Sequence, residues 1–83
     1  MDISKEICNI DKVGSSAIIR RLQALYNSGV SMIVLKRIAN EVRTMSTDAM
    51  YDYLTNTHGA TLPRFNVRDK VAIAYINQKV KEC

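Results

Sequence analysis

The chain has no tryptophan, one histidine, one phenylalanine, one proline, three glycines and two cysteines in 83 residues. Each scarcity removes a class of protein. Two cysteines, Cys8 and Cys83, are too few for the disulfide framework of a small secreted scaffold, which carries four or more. They read instead as the free thiols of a cytoplasmic protein, Cys8 part-buried and Cys83 frayed and exposed. The longest uninterrupted apolar runs, residues 32–35 and 71–76, fall far short of the roughly 20 residues that span a bilayer. No membrane role is expected, and residues 1–6 lack the basic start and apolar stretch of a secretory signal. Little glycine and proline, with 47% hydrophobic and 24% charged residues, excludes a disordered or collagen-like chain.

Catalytic groups are equally sparse. His58 stands between Thr57 and Gly59 near the end of a helical segment, where it suits the helix dipole. No C-x-x-C, H-x-x-x-H or G-x-S-x-G spacing occurs, and Gly14, Gly29 and Gly59 stand too far apart to cradle a phosphate. Asp48 and Asp52 share a helix face, a pattern more often solvated than catalytic. Binding rather than enzymatic activity is expected, with no cofactor and no metal.

What is present is helical periodicity. Ile3, Ile7 and Ile10 mark a first helix over about 2–11. Val13-Gly14-Ser15-Ser16 breaks it and supplies a serine N-cap for a second, about 17–27, with Ile18, Leu22 and Leu25 on one stripe. Gly29 sits where a left-handed cap is wanted, and Ser31 opens a third helix over about 32–45, with Leu35, Ile38, Val42 and Met45 inward. Ser46 or Thr47 caps a fourth that runs to about His58, with Met50, Tyr53 and Leu54 inward. A link through Pro63 leads to Asn66, which is expected to open the last helix, ending near Lys81. The chain reads as a single helical domain over 1–83, all-α, a compact bundle of four or five short helices. Residues 71–76 are apolar on every side, so the last helix is either central or, over 67–81, the seam of a homodimer.

Charge is unevenly placed. The net +4 arises from twelve Lys and Arg against eight Asp and Glu. Residues 1–19 sum to −1, residues 20–43 to +4, residues 44–63 to −2 and residues 64–83 to +3. In the +4 block the third helix sets Lys36, Arg37, Asn40, Arg43 and Thr44 opposite its apolar stripe. These side chains suit phosphates and base edges.

The second helix, the turn Asn27-Ser28-Gly29-Val30 and the third helix resemble a helix-turn-helix unit. With Gly29 as the turn glycine, Ala24, Val30, Leu35 and Ile38 fall on the motif's apolar positions. Leu25 and Ser28 depart from it. The resemblance implies a small DNA-binding regulator, in which Arg37, Asn40 and Arg43 approach bases while Arg20, Arg21, Lys36 and Thr44 hold phosphates. A plain αα-hairpin fits the same pattern. The alternative function is a protein-binding adaptor or inhibitor, for example of a phage-type accessory kind, docking on an acidic partner through the last helix with Tyr51 and Phe65.

Overall fold

A computed structural model describes residues 2–63 and 67–82. Four α-helices carry the fold: α1, Ser16–Asn27; α2, Met32–Thr44; α3, Thr47–Asp52; and α4, Arg68–Lys81. No strand occurs among the described residues, and the all-α bundle is as the periodicity predicts.

The N-terminal segment departs from expectation. In place of a helix over 2–11 it forms two 3-10 turns, Ile3–Lys5 and Ile10–Val13, separated by Asn9 in the left-handed region at φ 61°. The stripe is nonetheless inward, since Ile3, Ile7 and Ile10 are all buried, and Val13, from the expected break, is buried with them. Local side chains compete for the backbone here. The Asp2 carboxylate accepts from the Ser4 amide at 2.9 Å and from its hydroxyl at 2.7 Å, and the amide bond in particular lowers the Asp2 pKa. The Ile3 amide donates to Gln23 Oε1 at 2.9 Å, which ties the segment to α1. An isolated helix of ten residues is marginal, so tertiary anchoring decides the outcome.

The later caps follow the sequence more closely. Ser15 occupies the N-cap position of α1, yet its side chain makes no capping bond and its Oγ is buried without a partner. Only its carbonyl serves, accepting from Ile18 and Ile19. Before it, Gly14 has φ 142°, and a Cβ there would lie 2.7 Å from Ile18 Cδ1. α1 ends in a Schellman arrangement: the Val30 amide reaches the Leu25 carbonyl at 3.1 Å and the Gly29 amide reaches Tyr26 at 3.1 Å. Leu25 is buried, and Val30 packs half-buried against the same core. Ser31 and Ser46 cap α2 and α3 through their hydroxyls, accepting from Val34 at 3.2 Å and Ala49 at 3.1 Å.

Past Asp52 the chain does not continue as α-helix to His58. It widens into a π-helical turn, Tyr53–Thr57, closed by Gly59 at φ 66° and by an Ala60 amide that reaches back to Leu54 at 2.9 Å. The expected opening of α4 at Asn66 lies outside the described residues, as do Phe65 and Cys83; the residue at its N-cap position is Val67.

α4 packs against α1, α2, α3 and the π-turn. Val71, Ala72, Tyr75 and Ile76 are buried, and Ile73 is half-buried against the same core. The all-round apolar middle is thus that of a central helix. Among the described residues the large apolar side chains left exposed are Ile33 and Val67, the latter at the head of the 67–81 segment. Arg68, in the first turn of α4, crosses to the end of α2. Its guanidinium donates to the carbonyls of Val42 at 2.7 Å and Met45 at 3.3 Å, and to Thr47 Oγ1 at 3.3 Å. Carbonyls at a helix C-terminus have no partner within the helix, and a cation suits the dipole there.

Arg68→Met removes those donors while keeping the aliphatic stem. Chemical denaturation is expected to show a loss of about 2 kcal/mol, typical of hydrogen bonds from a charged group, with Arg68→Lys recovering only part. Gly14→Ala is expected to lose about 1–3 kcal/mol through its positive φ and its contact with buried Ile18, read as a lower urea midpoint at unchanged slope.

Candidate nucleic-acid interface

α2 buries Leu35, Ile38, Ala39 and Val42 and leaves a continuous stripe outward. Ile33 is 75% exposed at its head, followed by Lys36, Arg37, Asn40, Arg43 and Thr44, all exposed. Spacings of three, four and seven hold these side chains on one face. Arg43 Nη2 donates to Asn40 Oδ1 at 2.7 Å, which orients both groups. The Thr44 hydroxyl donates back to the Asn40 carbonyl at 2.9 Å, so its proton is engaged within the helix. Thr44 can still accept, but it is not the ready phosphate donor that its residue type implies.

The remaining members of the expected set do not join this stripe. Arg20 is exposed on α1 beside Ala24. Arg21 is half-buried and turned toward α4, where its Nε donates to Asn77 Oδ1 at 2.8 Å. There it lines a separate groove with Leu25, Asn77, Val80 and Lys81. The two helices of the expected pair are present as α1 and α2, joined through the Gly29 turn. Val30, Leu35 and Ile38 of its apolar positions point inward, whereas Ala24 is exposed and Leu25 is buried in its stead.

The sequence reading missed a polar network on the other side of α2. Glu41 is the sole acid in residues 20–43. Its carboxylate accepts from the Tyr75 hydroxyl at 3.0 Å and lies 3.7 Å from Lys79 Nζ. Lys79 also reaches Glu82 at 3.4 Å and stands 5.3 Å from the centre of the Tyr53 ring. The Tyr53 hydroxyl donates to Glu82, and His58 Nε2 lies 2.8 Å from the same carboxylate. The rings of Tyr53 and His58 are 4.8 Å apart, and those of Tyr53 and Tyr75 are 5.4 Å apart. Burial and then the Glu41 bond push the Tyr75 pKa well above 10.0. The Tyr53 bond holds Glu82 below the usual carboxylate range, with Lys79 and His58 adding to it. Burial works against the Lys79 charge, but Glu41, Tyr53 and Glu82 together raise its pKa. The i, i+4 and i+3 spacings on α4 could have flagged Tyr75, Lys79 and Glu82, but only the fold brings Glu41, Tyr53 and His58 to them.

This network has a consequence for the stripe. Glu41 is drawn away to α4, and among the described residues no carboxylate lies within ion-pair distance of Lys36, Arg37 or Arg43. The stripe also borders a cleft of about 300 Å³ under the N-terminal segment, lined by Glu6, Ile7, Cys8, Asn9, Val13, Lys36, Ala39, Asn40 and Arg43. Cys8 is exposed here rather than part-buried, because Ile7 and Ile10 take the inward positions on either side of it. No group of three or more metal-ligating side chains is gathered among the described residues, and no described helix is long and apolar enough to cross a membrane. No protein-family model, curated protein or solved structure matches the chain significantly.

The Tyr75 shift fixes the sign of an alkaline effect. A tyrosine whose folded pKa is raised contributes stability fully present below its unfolded value near 10 and lost as pH rises above it. Urea midpoints are therefore expected to fall above pH 10 in the native chain. Tyr75→Phe, lower in stability at neutral pH, should show a shallower alkaline fall.

Proposed function

We propose that the protein is a small non-enzymatic nucleic-acid-binding module, acting in the cytoplasm, that presents α2 to duplex DNA. The observation that carries this reading is the row of cations Lys36, Arg37 and Arg43, exposed and unmatched by any described carboxylate. Cations left unpaired on one helix face favour a polyanion, because each phosphate contact releases condensed counterions from DNA. The major groove admits an α-helix, and the stripe has the side chains to read it. Arg37 faces guanine edges, Asn40 faces adenine edges, and Ile33 meets thymine methyl groups at the leading end of the helix. Lys36 and Arg43 hold phosphates, with Arg20 contributing from α1. Arg21, held by Asn77, is left out of this contact. A regulator of this kind that binds a two-fold operator would do so as a homodimer.

A second reading is a protein-binding adaptor whose acidic partner covers the same stripe. Ile33 favours it, since a large exposed apolar side chain one turn before Lys36 and Arg37 makes an anchor for a protein contact. The two readings part in their salt dependence and in nuclease sensitivity.

Gel shifts with mixed-sequence duplex at several salt concentrations test the first reading. Three or four neutralised phosphates give a slope of log K against log salt of about −3 to −4. Arg37→Ala with Arg43→Ala should weaken binding about a hundredfold, while Arg21→Ala should leave it nearly unchanged. Absence of a shift at low salt, or binding indifferent to salt, would overturn the DNA reading. A stoichiometric acidic protein retained after nuclease treatment would support the second.

A further inference from the structure

The cleft beside α2 has features that a groove-reading helix does not need. Its floor is apolar, made by Ile7, Val13 and Ala39. One wall is α2, where Lys36 and Arg43 stand seven residues apart, about 10 Å along the axis, with Asn40 between them. Arg43 already leans toward Asn40, and so toward Lys36, through its 2.7 Å bond. The facing wall is Glu6, Cys8 and Asn9. That wall is held in place: buried Ile7, Ile10 and Val13 anchor it to the core, the Ile3 amide is bonded to Gln23, and Asn9 is fixed at φ 61°. A cleft of about 300 Å³ is at the small end of the range for organic ligands. Two cations against one carboxylate select an anion. The apolar floor selects a flat or aliphatic body, and Glu6 with Asn9 offers acceptors to an N–H at its far end.

We propose that this cleft binds a small organic anion of the kind typified by a nucleoside monophosphate. Its anionic group lies near Asn40, between Lys36 and Arg43. Its ring lies over Ile7, Val13 and Ala39, with an amino group toward Glu6 or Asn9. Because Lys36, Asn40 and Arg43 also belong to the α2 stripe, the ligand and nucleic acid exclude one another. That second statement rests on the function proposed above; the binding of the anion does not.

Adenosine monophosphate is a suitable probe, and Cys8 a reporter in the cleft wall. In the Cys83→Ser chain, the probe should slow alkylation of Cys8 saturably, and amide resonances of Asn9 and Asn40 should shift with the same midpoint. Adenosine and inorganic phosphate should each bind at least about tenfold more weakly, as should the probe to a Lys36→Gln, Arg43→Gln chain. Cys8→Trp fills the cleft without altering charge, and should abolish the shift at Asn40 while circular dichroism stays native. No saturable effect up to about 10 mM, weaker than any specific site, would overturn the site. Equal binding by phosphate alone, or by adenosine alone, would overturn the ligand class. In gel shifts the probe should release DNA from the native chain but not from Cys8→Trp. Binding of both without competition overturns the exclusion. Binding of the probe with no DNA shift leaves the cleft standing and removes the function proposed above.

Discussion

The guanidinium of Arg68 at the end of α2 is the contact on which the arrangement of the bundle depends. α2 stops at Thr44 with carbonyls that cannot be satisfied within the helix. One side chain from the next long helix supplies donors to Val42, Met45 and Thr47 together. The first turn of α4 is thereby fixed against the junction of α2 and α3. From that point α4 has only one direction to run, through the middle of the other helices. The apolar middle of α4 is consequently shared by α1, α2 and α3 at once.

At its other end α4 is fixed by polar contacts. Lys79 and Glu82 meet Glu41 from α2, Tyr53 from the π-turn and His58 just beyond it. Such networks are worth little per exposed pair, so their importance here is one of direction. They take the single acid of α2 to the α4 side. The opposite side of α2 is left with cations, Asn40 and Ile33, and no acid of its own. A stabilising contact inside the bundle thus sets the electrostatic character of the outer face. The N-terminal segment completes that face by laying a wall along one edge of it.

Where sequence reading succeeded, the signal was local. Ser31, Gly29 and Ser46 mark helix ends through bonds to residues within a few positions, and the stripes of Ile18, Leu22 and Leu25 or Leu35, Ile38 and Val42 follow from one helix at a time. The same local logic failed for Ser15, whose hydroxyl is turned away from the amides it was expected to cap, and for residues 2–11. In that segment the apolar stripe was right and the conformation wrong, because 3-10 turns around Asn9 bury the same isoleucines. The π-turn left no mark in the residue pattern at all. Of the expected interface, Lys36, Arg37, Asn40, Arg43 and Thr44 were legible as a helix face. Arg21 was not, since adjacent positions on α1 point about 100° apart and only the location of Asn77 on α4 decides which of Arg20 and Arg21 is engaged.

By itself, then, the sequence determined the class of object: helices, their stripes, most of their ends, and a surplus of positive charge concentrated in residues 20–43. Those properties depend on spacing and composition, which act over a turn or two of chain. Tertiary structure alone decided that the last helix runs through the middle of the bundle, that Glu41 faces α4, that Arg21 leaves the basic set, and that Cys8 opens onto a cleft beside Lys36 and Arg43. These are contacts between residues far apart in the chain: Glu41 meets Tyr75 34 positions on, and Arg21 meets Asn77 56 positions on. The energy of such a contact exists only after the chain has closed, so no local pattern can carry it.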